Sequence, residues 1–474
     1  MNTAASPSLT DLTAGEAAAQ IAAGTLTSVD LVRALLERMA QTAGLNACIS
    51  HDAQALLNAA GEADAARVTP GTRPLHGVPL LLKDNIDVAG VPSTAGSRAM
   101  SALVPQRDAS VAQRLRDAGA LVLGKANMHE FAYGITSNNA PYGAARNPYD
   151  TTRIPGGSSG GTAAAVAARA APAGIGTDTG GSVRIPAALC GLVGFRPSTG
   201  RWPADGVVPI SATLDTPGPM ARSVADCVLL DGVVTGGATH LAAAELKGLR
   251  LGVPREYYWS PLEASLSAVA EDVLKRLEAA GVVLVPCEVK DVGPLTNNGT
   301  FPIALYETLP GLQAHHDRHG WPFDAAALTA QIDSPDVRGV FDSLLGANAM
   351  PESAYRHSMD TVRPQLQAAL AECFASQRIA ALIFPTTPRT AAPIGEDTTV
   401  DLCGEQVPTF PTFIRNTGPG ALAGLPGISL PVGLTPQGLP VGMELDGPAG
   451  SDTRLLAIAL ALEAVLPRTP APAL

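Results

Sequence analysis

Apolar and polar positions along this chain follow two rhythms. Near the N-terminus the rhythm is helical. Thr13-Ala-Gly-Glu16 has the form of a capping box, in which a threonine hydroxyl and a glutamate three residues on satisfy each other's backbone N–H groups. Gly24 can close that helix and Ser28 can cap the next, in which Leu31, Val32, Leu35, Leu36 and Met39 fall on one face. From about residue 75 short apolar runs alternate with glycine turns and helices. Val78 to Leu82 reads as a buried strand, Asp108 to Asp117 as a helix closed by Gly119, and Ala120 to Leu123 as a strand. The arrangement repeats from Leu249 to Val253, through a helix begun at Ser260-Pro261 with Glu263 and stopped by Gly281, to Val282–Val285. Ile428 to Val432 and Val441 to Leu445 read as further strands, and Asp452 to about Leu466 as a closing apolar helix.

Strand, helix, strand at this spacing predicts an α/β fold, a sheet with helices on both faces. Residues 289–364 are the least regular, with several prolines, aromatics and histidines, and read either as a cover over the substrate site or as a surface insertion. No composition break marks a linker, so residues 1–474 are expected to form one domain.

Composition narrows the function classes. With 46% hydrophobic and 16% charged residues the 474-residue chain is globular and can bury a large core. Its 48 glycines and 40 prolines show no fixed period, which excludes a solenoid or collagen. A formal net charge of -11 disfavours a nucleic-acid partner, whose phosphates need clustered Lys and Arg. Cys48, Cys190, Cys227, Cys287, Cys373 and Cys403 lie far apart, without the spacing of a zinc cage, and read as buried reduced thiols. The N-terminus lacks a basic region followed by an apolar stretch, and the longest apolar run, Leu455 to Leu462, falls far short of the ~20 residues that span a membrane. A cytoplasmic protein without a membrane partner is expected.

Two glycine-rich segments carry the candidate chemistry: Pro155-Gly-Gly-Ser158-Ser159-Gly-Gly161 and Thr177-Asp-Thr-Gly-Gly-Ser182-Val-Arg184. Glycines around a serine let backbone N–H groups converge on a ligand, as stabilisation of an oxyanion demands. Such loops also bind phosphate, but neither contains Gly-Lys-Ser/Thr or G-x-G-x-x-G after a clear strand. A nucleophilic serine needs a base. None of the eight histidines lies near either loop in sequence, though folding could bring one there. Lys83 is the other candidate, because it follows the strand Val78–Leu82 and burial can lower its reference pKa of ~10.4 by several units. Taken alone, it is as readily a strand-end lysine reaching water or paired with Asp84 or Asp87.

Together these residues form a longer ordered pattern. The run Gly77-Val-Pro-Leu-Leu-Leu-Lys83-Asp-Asn, then Gly124-Lys-Ala-Asn-Met-His-Glu-Phe131, the two serine loops and Gly191-Leu-Val-Gly-Phe-Arg-Pro197 resemble the amidase signature family. Phe384-Pro-Thr-Thr-Pro388, Leu425-Pro-Gly-Ile-Ser-Leu-Pro-Val-Gly433 and Gly438-Leu-Pro-Val-Gly442 extend the likeness. It covers most of residues 10–235, the part with the catalytic motifs, and the C-terminal part from 380 to about 466. The resemblance implies a single α/β/α domain around a large mixed sheet and a Ser-cisSer-Lys triad. At the matching positions Ser182 is the nucleophile, Ser158 the bridging serine after a cis peptide, and Lys83 the base. Thr179, Gly180, Gly181 and Ser182 match the oxyanion hole. Asp178 and Arg184 are expected to pair across the nucleophile loop. Segments 127–131 and 210–213 are expected to approach the pocket, with Met128, Phe131, Ile185 and Ile210 as substrate-binding residues.

The implied activity is hydrolysis of an amide through an acyl-enzyme, without metal or other cofactor. Within the family, amidotransferase subunits would carry Gln where this chain has Ile185 and Thr216. The stretches Ser182 to Cys190 and Val208 to Thr216 look most like stand-alone hydrolases of small aryl amides, of the indoleacetamide and mandelamide type. Anilides and carbamates stay open as substrates, as does a subunit that works only in a complex. The oligomeric state, monomer or homodimer, is not readable. His315, His316 and His319 raise a metal reading, since His315 and His319 share a helix face, but no Glu falls between them in H-E-x-x-H order. A solvated polar segment is the expectation there.

Overall fold

The strand Pro79–Lys83 shows how the sequence makes the sheet: Pro-Leu-Leu-Leu-Lys is an apolar run without alternation, and all five residues are buried, as suits a strand covered on both sides. The computed structural model describes residues 8–66 and 71–474. Its strands are β1 (Cys48–Ser50), β2 (Pro79–Lys83), β3 (Leu121–Ala126), β4 (Ala173–Asp178), β5 (Val193–Arg196), β6 (Thr216–Ala221), β7 (Arg250–Pro254), β8 (Val283–Cys287), β9 (Ala381–Pro385), β10 (Thr399–Leu402), β11 (Glu405–Pro408), β12 (Gly427–Leu434) and β13 (Pro440–Asp446). Eleven form one sheet in the order β1-β3-β2-β4-β6-β5-β12-β13-β9-β7-β8, and β10 pairs with β11 as a separate hairpin. The sheet is mixed: β3, β2 and β4 run parallel, as do β9, β7 and β8, while the strands between them pair antiparallel. Flanking helices complete the α/β domain anticipated from the strand–helix spacing.

Leu80, Ile175, Phe195, Ile428 and Leu445 meet in the main core with helix residues such as Leu230 and Leu456. Each such side chain contributes ~1.5–3 kcal/mol on burial. Helix Gly160–Ala167 is built only of Gly, Ala, Thr and Val, and every residue in it is buried. A Cβ on Gly161 would stand 2.3 Å from Asn127 O, so only glycine lets this helix approach the β3 end so closely.

Element boundaries show where local signals yielded to tertiary contacts. The capping box Thr13–Glu16 forms, and helix Ala14–Ala22 ends just before Gly24. The next helix, Ser28–Gln41, is capped by Thr27 instead of Ser28. Ser28 Oγ donates instead to Gly77 O at 2.6 Å, tying the helix to the entrance of β2. Asp108 stays outside helix Ser110–Asp117, because its carboxylate accepts from Ala89 N–H at 2.7 Å and from Arg116 at 2.9 Å. The largest departure lies within 289–364. It holds a 28-residue helix, Val292–His319, with Pro302 and Pro310 inside it, followed by short helices. Its prolines and glycines are poor helix formers, so packing and not propensity makes this element.

Candidate active site

β2 and β4 are parallel neighbours, with Leu82 opposite Ile175, so their C-terminal ends bring Lys83 beside Thr177. Lys83 is fully buried, and Nζ donates to Ser158 Oγ at 2.8 Å, Thr177 Oγ1 at 2.7 Å and Thr177 O at 3.5 Å. Asn85 Nδ2 donates to the same threonine hydroxyl at 3.1 Å. Burial lowers the Lys83 pKa to about 7, against the pull of the Asp178 and Asp215 charges. Ser158 follows a cis peptide from Gly157, and its carbonyl accepts from His129 N–H at 3.1 Å.

β4 ends at Asp178, and the chain turns through Thr179-Gly-Gly-Ser182 into helix Arg184–Leu189. A buried charge cluster holds this turn. Arg184 donates to both Asp178 oxygens at 3.0 Å and also to Glu444, and Arg196 Nη1 donates to Asp178 O at 2.7 Å. Burial alone would raise the Asp178 pKa, but Arg184 and Arg196 outweigh it and leave it at about 2. Thr179 Oγ1 donates to Asp215 Oδ1 at 2.6 Å, and Thr417 Oγ1 donates to Gly180 O at 2.6 Å. Gly181 has φ 145°, and a Cβ there would lie 2.2 Å from Thr417 Oγ1, so both backbone and space require glycine. Among the described residues no protein acceptor takes the N–H of Gly180, Gly181 or Ser182. The two serine loops are joined by Ser159 N–H donating to Ser182 O at 3.2 Å, whereas the Ser158 and Ser182 hydroxyls are not hydrogen-bonded to each other.

Thr179 to Ser182 open onto a cavity of about 400 Å³. Tyr133, Ile135 and Ile210 form its near wall, the long helix contributes Thr300, Phe301 and Ala304, and the hairpin side contributes Leu402, Val407 and Phe410. Phe301 and Phe410, which both line it, pack on each other with ring centroids 6.0 Å apart.

This geometry has counterparts among known proteins. The family model described as Amidase matches residues 30–456. The chain belongs to the amidase signature family. It is 43% identical to the indoleacetamide hydrolase of Agrobacterium vitis over 435 residues, 92% of this amidase and 93% of the relative. It is 42% identical to the mandelamide hydrolase of Pseudomonas putida over 481 residues, 98% and 93% of the two chains. The crystal structure of peptide amidase from Stenotrophomonas maltophilia superimposes with a TM-score of 0.83 at 33% identity, covering 98% of each chain. The chain is therefore a hydrolase of amide C–N bonds, and the sequence motifs had pointed to that family.

The predicted site residues of this amidase are placed unevenly. Lys83 and Ser158 are in contact, and the segment Thr179–Ser182 lines the cavity together with Ile210. Met128, Phe131 and Ile185 are not among the lining residues. Met128 is in the main core, Phe131 packs on Phe341 at 5.0 Å, and Ile185 lies under the turn with Leu189 and Phe413. Thr213 is held by Glu307 of the long helix, which takes its N–H at 3.0 Å. Thr177, Asn85, Asp215 and Thr417 went unnoticed as site residues in the sequence. Thr177, Asn85 and Asp215 lie within the motifs that carry the resemblance, but only the fold shows that Asn85 holds the Thr177 hydroxyl and Asp215 that of Thr179. Asp178 and Arg184 pair as expected, whereas Asp84 and Asp87 take Lys125 and two histidines as partners and leave Lys83 free of a carboxylate contact.

Proposed function

We propose that the chain hydrolyses a small aryl or arylalkyl carboxylic amide to its acid and ammonia or amine, through an acyl-enzyme on Ser182. The observation that carries the reading is the 2.8 Å contact between Ser158 Oγ and a buried lysine whose pKa is about 7. At that pKa a large fraction of Lys83 is uncharged at neutral pH and able to accept a proton.

In the proposed relay Lys83 takes the proton of Ser158 as Ser158 takes that of Ser182. Ser182 Oγ then bonds to the amide carbon, and the carbonyl electrons move to oxygen. The N–H groups of the turn from Thr179 to Ser182 meet that oxyanion. One such donor is worth ~10²–10³ in kcat. Collapse breaks the C–N bond, and the proton returns through Ser158 to the nitrogen, which leaves as ammonia or amine. Water attacks the ester, surrendering a proton to the same relay, and Ser182 is released with the acid. Rotation of the Ser182 side chain toward Ser158 completes the chain of hydroxyls, since such links are often open before substrate binds.

The cavity walls of Ile135, Ile210, Phe301, Val407 and Phe410 support an aromatic or arylalkyl acyl group, in line with the substrates named for the indoleacetamide and mandelamide hydrolases to which the chain is similar. A cytoplasmic setting accords with six cysteines that form no disulfide, and no described helix is long and apolar enough to cross a membrane. The test is ammonia release by the purified chain from aryl, aliphatic and dicarboxylic amides and from glutamine. Turnover of aryl or arylalkyl amides, abolished in Ser182→Ala, is expected. Activity confined to glutamine in the presence of a partner would replace this reading with an amidotransferase subunit, and preference for anilides or carbamates would reassign the leaving group.

A further inference from the structure

Asp87 lies four residues beyond Lys83, where the chain leaves β2, and is fully buried. Its Oδ2 is 3.0 Å from His315 Nε2 and 2.8 Å from His319 Nε2. The two histidines are one turn apart at the C-terminal end of helix Val292–His319, and their side chains are 3% and 0% exposed. The solvated segment expected from the sequence is therefore a buried cluster. Trp321 stacks on His319 with centroids 4.4 Å apart and planes 23° apart, which fixes the ring.

Two ring nitrogens thus converge on one carboxylate oxygen, while Asp87 Oδ1 is buried without a protein partner. As a set of hydrogen bonds this is lopsided, because one oxygen takes two donors and its twin takes none. As a set of lone-pair donors it is balanced. Two imidazole nitrogens and a carboxylate are the ligands that zinc and related first-row ions select. The three atoms lie within 4.8 Å of one another. Ligands about 2.0–2.1 Å from a tetrahedral ion stand roughly 3.3 Å apart, so the two carboxylate–imidazole separations of 3.0 and 2.8 Å need to open by only a few tenths of an ångström. The positive charge of Lys125, which reaches Asp87, is countered by Asp84 at 3.5 Å.

We propose that Asp87, His315 and His319 form a divalent-cation site of the zinc class, with Asp87 Oδ1 or water completing the coordination. The carboxylate comes from 228 residues away, so no short motif such as H-E-x-x-H marks the site along the chain. The ion would tie the C-terminal end of the long helix to the segment that follows the Lys83 strand. The N-terminal half of that helix lines the cavity, so the site braces the pocket without touching Ser182. The outer nitrogens, His315 Nδ1 and His319 Nδ1, have no protein acceptor. Missing outer partners cost about 10- to 100-fold in affinity, so the ion should exchange with chelators instead of being permanently held.

The test uses the full-length chain, stripped with a chelator and desalted, then titrated with Zn²⁺ by calorimetry and with Co²⁺ by visible absorption. One ion per chain is expected, with the intense absorption of low-coordinate Co²⁺. Asp87→Asn keeps an acceptor for the ring N–H groups but removes the anionic ligand; it and His319→Gln should each weaken binding at least ~10-fold. Uptake by the wild-type chain should also weaken in acid, because protons compete with the metal for its ligands. No saturable uptake, or equal affinity in wild type and both variants, would reduce the cluster to a hydrogen-bonded clamp. If a variant fails to fold, the wild-type titration decides: no saturable uptake of Zn²⁺ or Co²⁺ by the folded chain overturns the site.

Discussion

Two lysines stand near the ends of neighbouring parallel strands, Lys83 on β2 and Lys125 on β3, and both are fully buried. Lys125 has Asp84 Oδ1 at 3.5 Å and donates to Ser93 Oγ at 3.0 Å. Lys83 has hydroxyls and one backbone carbonyl as partners and no carboxylate in ion-pair contact. Burial lowers the pKa of each, but Lys125 has a charged neighbour that rewards its own charge, whereas Lys83 feels Asp178 and Asp215 only from beyond contact. One residue type in one sheet thus becomes half of an ion pair in one place and a candidate base in the other. The choice of neighbour makes the difference, because a buried charge without a counter-charge is expensive and the group sheds its proton instead.

The sharpest way to break this comparison is to remove each ammonium in turn. Lys83→Met, like Ser182→Ala, is expected to lower kcat by ~10⁴ or more while the protein stays folded, as steady-state kinetics and circular dichroism would record. Lys125→Met strands the Asp84 carboxylate and should cost ~3–5 kcal/mol in a denaturant titration, with activity per folded molecule largely kept. If the two variants behave alike, the contrast between base and ion pair is lost.

Next in size is Gly181→Ala, which forces a Cβ against Thr417 and distorts the turn before Ser182. We expect kcat to fall ~10²–10³-fold, the worth of an oxyanion donor, with partial recovery in the double variant Gly181→Ala/Thr417→Ala. No recovery would mean that the backbone conformation, or the remaining contact of the new Cβ with Ile185 Cδ1 and Thr417 Cβ, is at fault.

The pH profile sharpens the same contrast. In the proposed relay the neutral form of Lys83 is the active one; with its pKa at about 7, kcat/KM should rise through about pH 7 and hold on the alkaline side. Asp215 favours the charged lysine, so Asp215→Asn should move the rise to lower pH. A shift the other way would argue that Asp215 acts through Thr179 instead. The smallest effect is expected at the cavity mouth. Phe301 is 47% exposed, and Phe301→Ala should raise KM for aryl amides a few-fold, consistent with ~1 kcal/mol for an aromatic pair, and leave kcat unchanged.

Much of the framework was legible along the chain. Apolar runs marked β2, β7, β8, β12 and β13 to within a residue or two, and the Thr13–Glu16 box formed as read. These signals are local, since a capping residue and its N–H lie within one turn. The long helix was hidden because Pro302, Pro310 and its glycines oppose helix locally, and only packing overrides them. The histidines looked solvated because Asp317 and Arg318 stand among them, whereas the carboxylate of Asp87, far away in sequence, meets His315 and His319 in space and Trp321 folds back onto the His319 ring.

By itself the sequence determined the α/β architecture and the order of the serine and lysine motifs, because periodicity and glycine spacing are properties of short segments. The tertiary structure alone decided that Lys83 meets hydroxyls while Asp84 goes to Lys125, that Ile210 reaches the cavity while Met128, Phe131 and Ile185 lie elsewhere, and that a helix more than a hundred residues beyond Ser182 supplies one of its walls. A proton relay and a pocket depend on distances between atoms from different segments, and those distances exist only once the sheet has brought its strand ends together.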